Sequence, residues 1–157
     1  MTRFVGIAAA VAVLSVLTGC TGVVPDRAVS SSKSDSDSWD HHTQGLPFVF
    51  GYEKGLAEAK AQQKPAMLFV TTTWCGWCKK LAKESFRDEE IRRLLTDHFV
   101  CVIVDGDTEK QAVGQLNVRG YPHVIFVDSE GHRVSECRGY VPKEEFKKIV
   151  EKAIQRA

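Results

Sequence analysis

Trp74-Cys75-Gly76-Trp77-Cys78-Lys79 follows the continuous apolar run Ala66-Met67-Leu68-Phe69-Val70, and Cys75 to Glu84 reads as a helix. An unbroken apolar run of this length suits a strand buried on both faces. The cysteine pair therefore falls where a central strand turns into a helix. A helix N-terminus offers unpaired backbone N–H groups and the positive end of the macrodipole. Both favour the thiolate of Cys75, and the thiolate is the reactive form in disulfide exchange. Cys78 lies about one helical turn further on and can attack a mixed disulfide formed at Cys75. This reading expects Cys75 exposed and Cys78 shielded, with Lys79 and Lys80 adding weak positive potential. Two other readings of the pair are a zinc site and a purely structural disulfide. Zinc commonly takes a second Cys or His pair, which Cys101, Cys137 and His98 do not supply. A bridge closing so short a loop gains little from chain entropy.

Outward from the motif the elements alternate. Phe48 to Phe50 suits a short edge strand. Tyr52 to Gln63 carries Leu56, Ala57, Ala59 and Ala61 in a helical pattern, which Pro65 stops. Asp88 reads as the N-cap of a helix with Glu89 and Glu90 in its first turn and Ile91, Leu94 and Leu95 facing inward. Phe99 to Val104 is a second buried strand, Thr108 to Leu116 a short helix and His123 to Val127 a third buried strand. Ser129-Glu130-Gly131-His132 is a hairpin turn before a returning strand, Arg133 to Arg138. Pro142 to Arg156 places Phe146, Ile149, Val150 and Ile154 on one helical face. The order β-α-β-α-β-α-β-β-α predicts an α/β fold with a central mixed sheet flanked by helices. No internal repeat is present.

Together, the Trp74–Lys79 motif, Val118-Arg119-Gly120-Tyr121-Pro122, the Val124 to Val127 strand, Gly131 and Gly139 resemble the thioredoxin family. Order and separations agree through residues 66–140. The resemblance implies a thioredoxin fold and thiol–disulfide exchange through Cys75 and Cys78 without a cofactor or metal. It also implies a cis peptide before Pro122, facing the cysteine pair. Cis bonds are uncommon even before proline, so the expectation is specific. The backbone at Tyr121 would pair with an extended substrate segment. Trp74, Gly76, Trp77, Gly120, Tyr121 and Pro122 would form the substrate surface. The chain departs from the family at a buried charged pair beneath the site. Phe69 stands where thioredoxins carry an aspartate. Counting from Asp105, Cys101 stands where they carry the neighbouring lysine. Losing both is coherent, because one buried charge alone would be costly. Cys101 and Cys137 would lie three strands apart in thioredoxin order, roughly 14 Å at about 4.8 Å per step. That is beyond disulfide reach, so both are expected as free thiols. Cys137 is the candidate for intermolecular pairing.

The N-terminal part has a different composition. Arg3 precedes Phe4 to Leu17, a nearly unbroken apolar run the length of a secretory h-region and short for a membrane span. It ends in Leu17-Thr18-Gly19-Cys20, which resembles the lipobox of bacterial lipoproteins. That resemblance implies a leader over 1–19, lipidation of Cys20 and an extracytoplasmic, membrane-anchored domain. Thr21 after the cysteine favours the outer membrane where the host has two. Residues 20–45 read as the lipidated cysteine and a flexible linker, because Ser30 to Ser38 has no apolar residue to bury. About 25 such residues reach roughly 25–30 Å. His41 and His42 are expected as exposed linker residues. Residues 46–157 are the folded domain. The chain has 157 residues, net charge +1, 43% hydrophobic and 26% charged residues and 5 cysteines. That composition suits one globular domain and lacks the basic stripe of a nucleic-acid binder. No dimerisation segment is visible, so a monomer is expected.

The partners implied are exported proteins carrying disulfides and a membrane thiol electron donor. Gly76-Trp77 lacks both the histidine of strongly oxidising relatives and the proline of the cytosolic reductant, and the reading leans towards a reductant. Two alternatives stay open. One is a dedicated reductant for a single client, such as apocytochrome c or a copper-site protein. The other is a thioredoxin-fold chaperone or binding module.

Overall fold

A computed structural model of the protein describes residues 39–157. The expected leader 1–19, Cys20 and the linker as far as residue 38 lie outside the described residues.

The apolar runs found in the sequence become five strands: β1 (Phe48–Phe50), β2 (Ala66–Thr71), β3 (Val100–Asp105), β4 (His123–Val127) and β5 (Arg133–Arg138). They form one mixed sheet in the order β1-β3-β2-β4-β5. β1 and β2 run parallel to β3, whereas β4 runs antiparallel to β2 and β5 to β4. Successive strand side chains point to opposite faces, so each apolar run feeds two cores. Met67, Phe69, Cys101, Ile103, Val124 and Phe126 join one cluster. Ala66, Leu68, Val70, Val102, Val104 and Ile125 join the other.

Helices cover both faces. α2 (Tyr52–Gln62) packs on the second cluster. Gly55 of α2 lies so close to β3 that a Cβ there would collide with the side chain of Val102. On the opposite face lie α3 (Gly76–Leu81), α4 (Glu89–His98) and α6 (Lys143–Ile154). α5 (Lys110–Gln115) follows β3. The expected N-cap of α4 is in place, since the Asp88 carboxylate accepts from the backbone N–H groups of Glu90 and Ile91. Asp88 also pairs with Lys143 at 2.9 Å, tying α4 to α6. α3 continues into a π-helical turn, Ala82–Phe86. This wider turn delivers Phe86 to the core, with ring centroids 5.8 Å from Phe48, 5.3 Å from Phe69 and 5.9 Å from Phe146.

The expectation that the linker runs to residue 45 is corrected within the described residues. Residues 39–43 form a helical turn, here α1, and Trp39 and His42 are buried. Trp39 packs edge-on against Phe50 of the edge strand at 6.1 Å. The Arg92 guanidinium donates to the carbonyls of Gln44 and Gly45 at 2.9 and 2.7 Å. A large aromatic ring and a multidentate cation thus tie an otherwise polar stretch to the domain. Among the described residues no helix is long and apolar enough to cross a membrane.

Candidate active site

The site sits where the C-terminal end of β2 meets α3. The Thr72 carbonyl accepts from the backbone N–H of Cys75 at 3.1 Å, folding the loop back on itself. Cys75 is then the N-cap of α3, and its sulfur accepts from the backbone N–H of Cys78 at 3.2 Å. A side-chain acceptor at this position satisfies one of the helix's orphan donors. Cys75 and Cys78 are joined as a disulfide, with Cα atoms 5.3 Å apart.

The expected exposure of Cys75 is corrected. Cys78 is fully buried, but Cys75 is also only 5% exposed and belongs to the core cluster. Cys75 sits in the core cluster beside Cys78, and the exposed surface around the pair is that of Trp74 and Trp77, 67% and 59% exposed.

These two tryptophans are held in place. The Trp74 indole N–H donates to Asp107 at 2.7 Å, and its ring meets Tyr121 edge-on at 6.3 Å. Trp77 lies 5.5 Å from Tyr140, and the Lys80 ammonium stands over both rings. Tyr140 in turn donates a short hydrogen bond to Glu84, and that bond is the main cause raising its phenol pKa.

The peptide between Tyr121 and Pro122 is cis, as expected. The Pro122 carbonyl accepts from Gly139 at 2.7 Å, and Gly139 adopts φ 77°, a left-handed conformation that suits glycine. The Tyr121 hydroxyl donates to the Gly106 carbonyl at 3.2 Å, and any Cβ at residue 106 would strike the Tyr121 ring. Burial, then Asp107 and Asp105, push the Tyr121 phenol upward. Gly76 and Gly120 are exposed with open space around them, leaving backbone accessible on both sides of the site.

Phe69 is fully buried beneath the site. Its register partner on β3 is Ile103, whereas Cys101 lies across from Met67 and Phe48. Cys101 thus lies one same-face step, about 6.6 Å, along β3 from the position across from Phe69, in the same core cluster as Phe69, Cys75 and Cys78. Both extra cysteines are free, as expected. Cys137 is buried, however, and its thiol donates to the Gly139 carbonyl at 3.5 Å. That corrects its reading as an intermolecular pairing site. Burial pushes the Cys101 thiol up to about 12 and the Cys137 thiol up to about 11. Among the described residues no three His, Cys, Asp or Glu side chains converge as a metal site would require.

The expectation that His42 is an exposed linker residue is corrected. His42 is fully buried, its ring 5.2 Å from Trp39 and 6.5 Å from Phe69. Neither ring nitrogen has a hydrogen-bond partner among the described residues. Trp39, a lone large aromatic in a tract of Ser, Asp and Lys, was the available signal that this stretch docks.

A mixed sheet, a cysteine pair at a helix start and a cis proline loop against it define a thioredoxin-type domain. The sequence model of the family described as "Thioredoxin-like domain" matches residues 52–154, and the chain belongs to that family. It is 43% identical over 90 residues to Spermatogenesis-associated protein 20 of Mus musculus, covering 56% of this chain and 11% of that protein. It is 33% identical over 85 residues to the thiol:disulfide interchange protein DsbD of Yersinia enterocolitica, covering 52% of this chain and 15% of that one. The chain thus spans a small fraction of these relatives. Among solved structures it resembles a thioredoxin from Thermus thermophilus, with TM-score 0.60, 26% identity, and 67% and 85% of the two chains covered.

Proposed function

We propose that the domain is a thiol–disulfide oxidoreductase acting on disulfides of exported proteins, with Cys75 as nucleophile and Cys78 as resolving thiol. The observation that carries this reading is the Cys75–Cys78 disulfide at the start of α3, among the residues of the cis-proline neighbourhood and two exposed tryptophans. A bridge so placed is a redox couple, because it adds little to stability.

In the reducing direction the reduced pair meets a substrate disulfide. The Cys75 thiolate attacks one substrate sulfur, and a Cys75–substrate disulfide forms as the substrate bond breaks. Cys78 loses its proton and attacks the Cys75 sulfur. The Cys75–Cys78 bond forms as the Cys75–substrate bond breaks, and the substrate sulfur that Cys75 had attacked leaves as a thiolate and takes a proton. The other substrate sulfur had left as a thiolate, and taken a proton, when the mixed disulfide formed. Two electrons pass from the enzyme pair to the substrate. Trp74, Gly76, Trp77, Gly120, Tyr121 and Pro122 form the surface on which an extended segment docks. No cofactor or metal enters these steps.

Electron flow runs towards reduction, with a membrane thiol donor restoring the pair. The domain works as an extracytoplasmic monomer carried by a lipid on Cys20 after removal of 1–19. The relation to the interchange protein DsbD supports the redox reading.

Insulin reduction tests it. Wild type should accelerate precipitation of insulin chains and Cys75→Ser should not. Equal rates would instead favour a binding module. Cys78→Ala should trap mixed disulfides, and a single trapped species would favour a dedicated client. A reduction potential near the −120 mV of the oxidant DsbA would overturn the reductant direction.

A further inference from the structure

The cis-proline loop borders a cavity that the exchange chemistry does not use. It has a volume of about 290 Å³ and opens between the α5–β4 loop and the end of β5, with Arg119, Gly120, Tyr121, His123 and Arg138 in its wall. Tyr121 belongs both to this cavity and to the neighbourhood of the redox loop, since its ring meets Trp74 edge-on at 6.3 Å. His123 and Arg138 are cross-strand partners, so their side chains leave the sheet on the same face. Gly120 has open space beside it, which leaves room for a second main chain.

The cavity is cationic. One carboxylate serves two guanidiniums and an imidazole, because Glu136 takes Arg133 at 2.6 Å, Arg138 at 2.8 Å and the His123 ring at 3.2 Å. Burial lowers the His123 pKa against the pull of Glu136, so this ring is neutral near pH 7. Arg119 is exposed and joins no ion pair among the described residues. No acidic side chain lines the cavity among the described residues. Two guanidiniums therefore share one opening, and their only counter-charge is a carboxylate already divided between partners. A guanidinium is a fixed fork of N–H donors that matches a carboxylate. The other flank of Tyr121 has the opposite sign, since after burial Asp107 and Asp105 push its phenol upward.

We propose that this cavity is a subsite for an acidic side chain of the substrate: its carboxylate meets Arg119 and Arg138 while the adjoining main chain lies along Gly120 and Tyr121. This rests on the oxidoreductase reading and names a substrate class for it, extended segments with Asp or Glu a few residues from the reactive cysteine. The charge of the two arginines selects among substrates and takes no part in the sulfur chemistry.

The test uses the reduced full chain and peptides capped at both ends, whose single cysteine carries a 2-thiopyridyl group. Cys75 attacks the peptide sulfur and 2-thiopyridone leaves, so its absorbance gives a rate for each peptide. Glu, Gln or Lys stands a few residues before or after the cysteine, and with both ends capped the Glu side chain is the sole carboxylate. At low salt the best-placed Glu peptide should react at least about threefold faster than its Gln twin, and the Lys twin should be slower still. Added salt should shrink the difference. Arg119 is exposed and unpaired, so its variants should fold. Arg119→Gln should erase most of the preference, Arg119→Lys should keep much of it, and Arg119→Glu should favour the Lys peptide. Equal rates for all peptides in wild type would overturn the proposal. So would a preference that survives in Arg119→Glu, which would place the attraction on Lys79 and Lys80 of α3 instead. If wild type releases thiopyridone from no peptide faster than Cys75→Ser does, the oxidoreductase reading itself falls, and the proposal with it.

Discussion

The indole N–H of Trp74 donates to the carboxylate of Asp107 at 2.7 Å, joining the redox loop to the segment after β3. Both residues are exposed, so the bond does little for stability. Its effect is to fix the large aromatic face beside Cys75. Trp74→Phe removes the donor and keeps most of the ring. We expect a rise of about threefold in KM for a protein disulfide with kcat nearly unchanged, consistent with loss of uniform binding. Steady-state kinetics with a reduced protein substrate check this.

Stability should fall on mild acidification. His42 has its pKa depressed to about 4 by burial, and His123 is also lowered, with burial the first cause, despite its bond to Glu136. A depressed histidine means the unfolded chain binds more protons. Stability is therefore complete above the unfolded value near 6.5 and is lost as pH falls towards about 4. For His42 the loss is up to about 3 kcal/mol. Urea midpoints measured across this window should drop in wild type and drop less in His42→Phe.

Gly55→Ala should destabilise the fold without touching the redox pair. The added Cβ would overlap the Val102 side chain, and overpacking of this kind costs about 1–3 kcal/mol. Chemical denaturation should show the loss, whereas the reduction potential should match wild type.

Cys101 and Cys137 should resist alkylation in the native reduced protein. Both are buried, and burial raises both thiols far above neutral pH. Mass spectrometry after brief iodoacetamide treatment should find label at Cys75 and none at Cys101 or Cys137. Label should appear at those two after unfolding in guanidinium.

Much of the scaffold could be read directly from the chain. The run Ala66–Val70, the Asp88 cap, the hairpin around Gly131 and the amphipathic face of α6 each carry their signal within a few residues. The cis bond before Pro122 was implied by the resemblance to thioredoxins that its flanking residues help carry. The burial of Cys75 was not, because it depends on how residues from distant parts of the chain pack around the pair. Asp107 and Glu84 escaped notice for a related reason. Their partners Trp74 and Tyr140 lie 33 and 56 residues away.

The sequence alone determined the order of elements, the two-faced strands and the position of the cysteine pair at a strand-to-helix turn. These follow from side-chain periodicity and capping, which act over one or two turns of chain. Only the tertiary structure decided that Ile103 rather than Cys101 lies across from Phe69, that Gly55 must stay bare against Val102, and that His42 enters the core beside the site. Each depends on the register of strands or the docking of a segment far away in the chain. Such long-range choices are settled by packing the whole core at once, so no local stretch of residues encodes them.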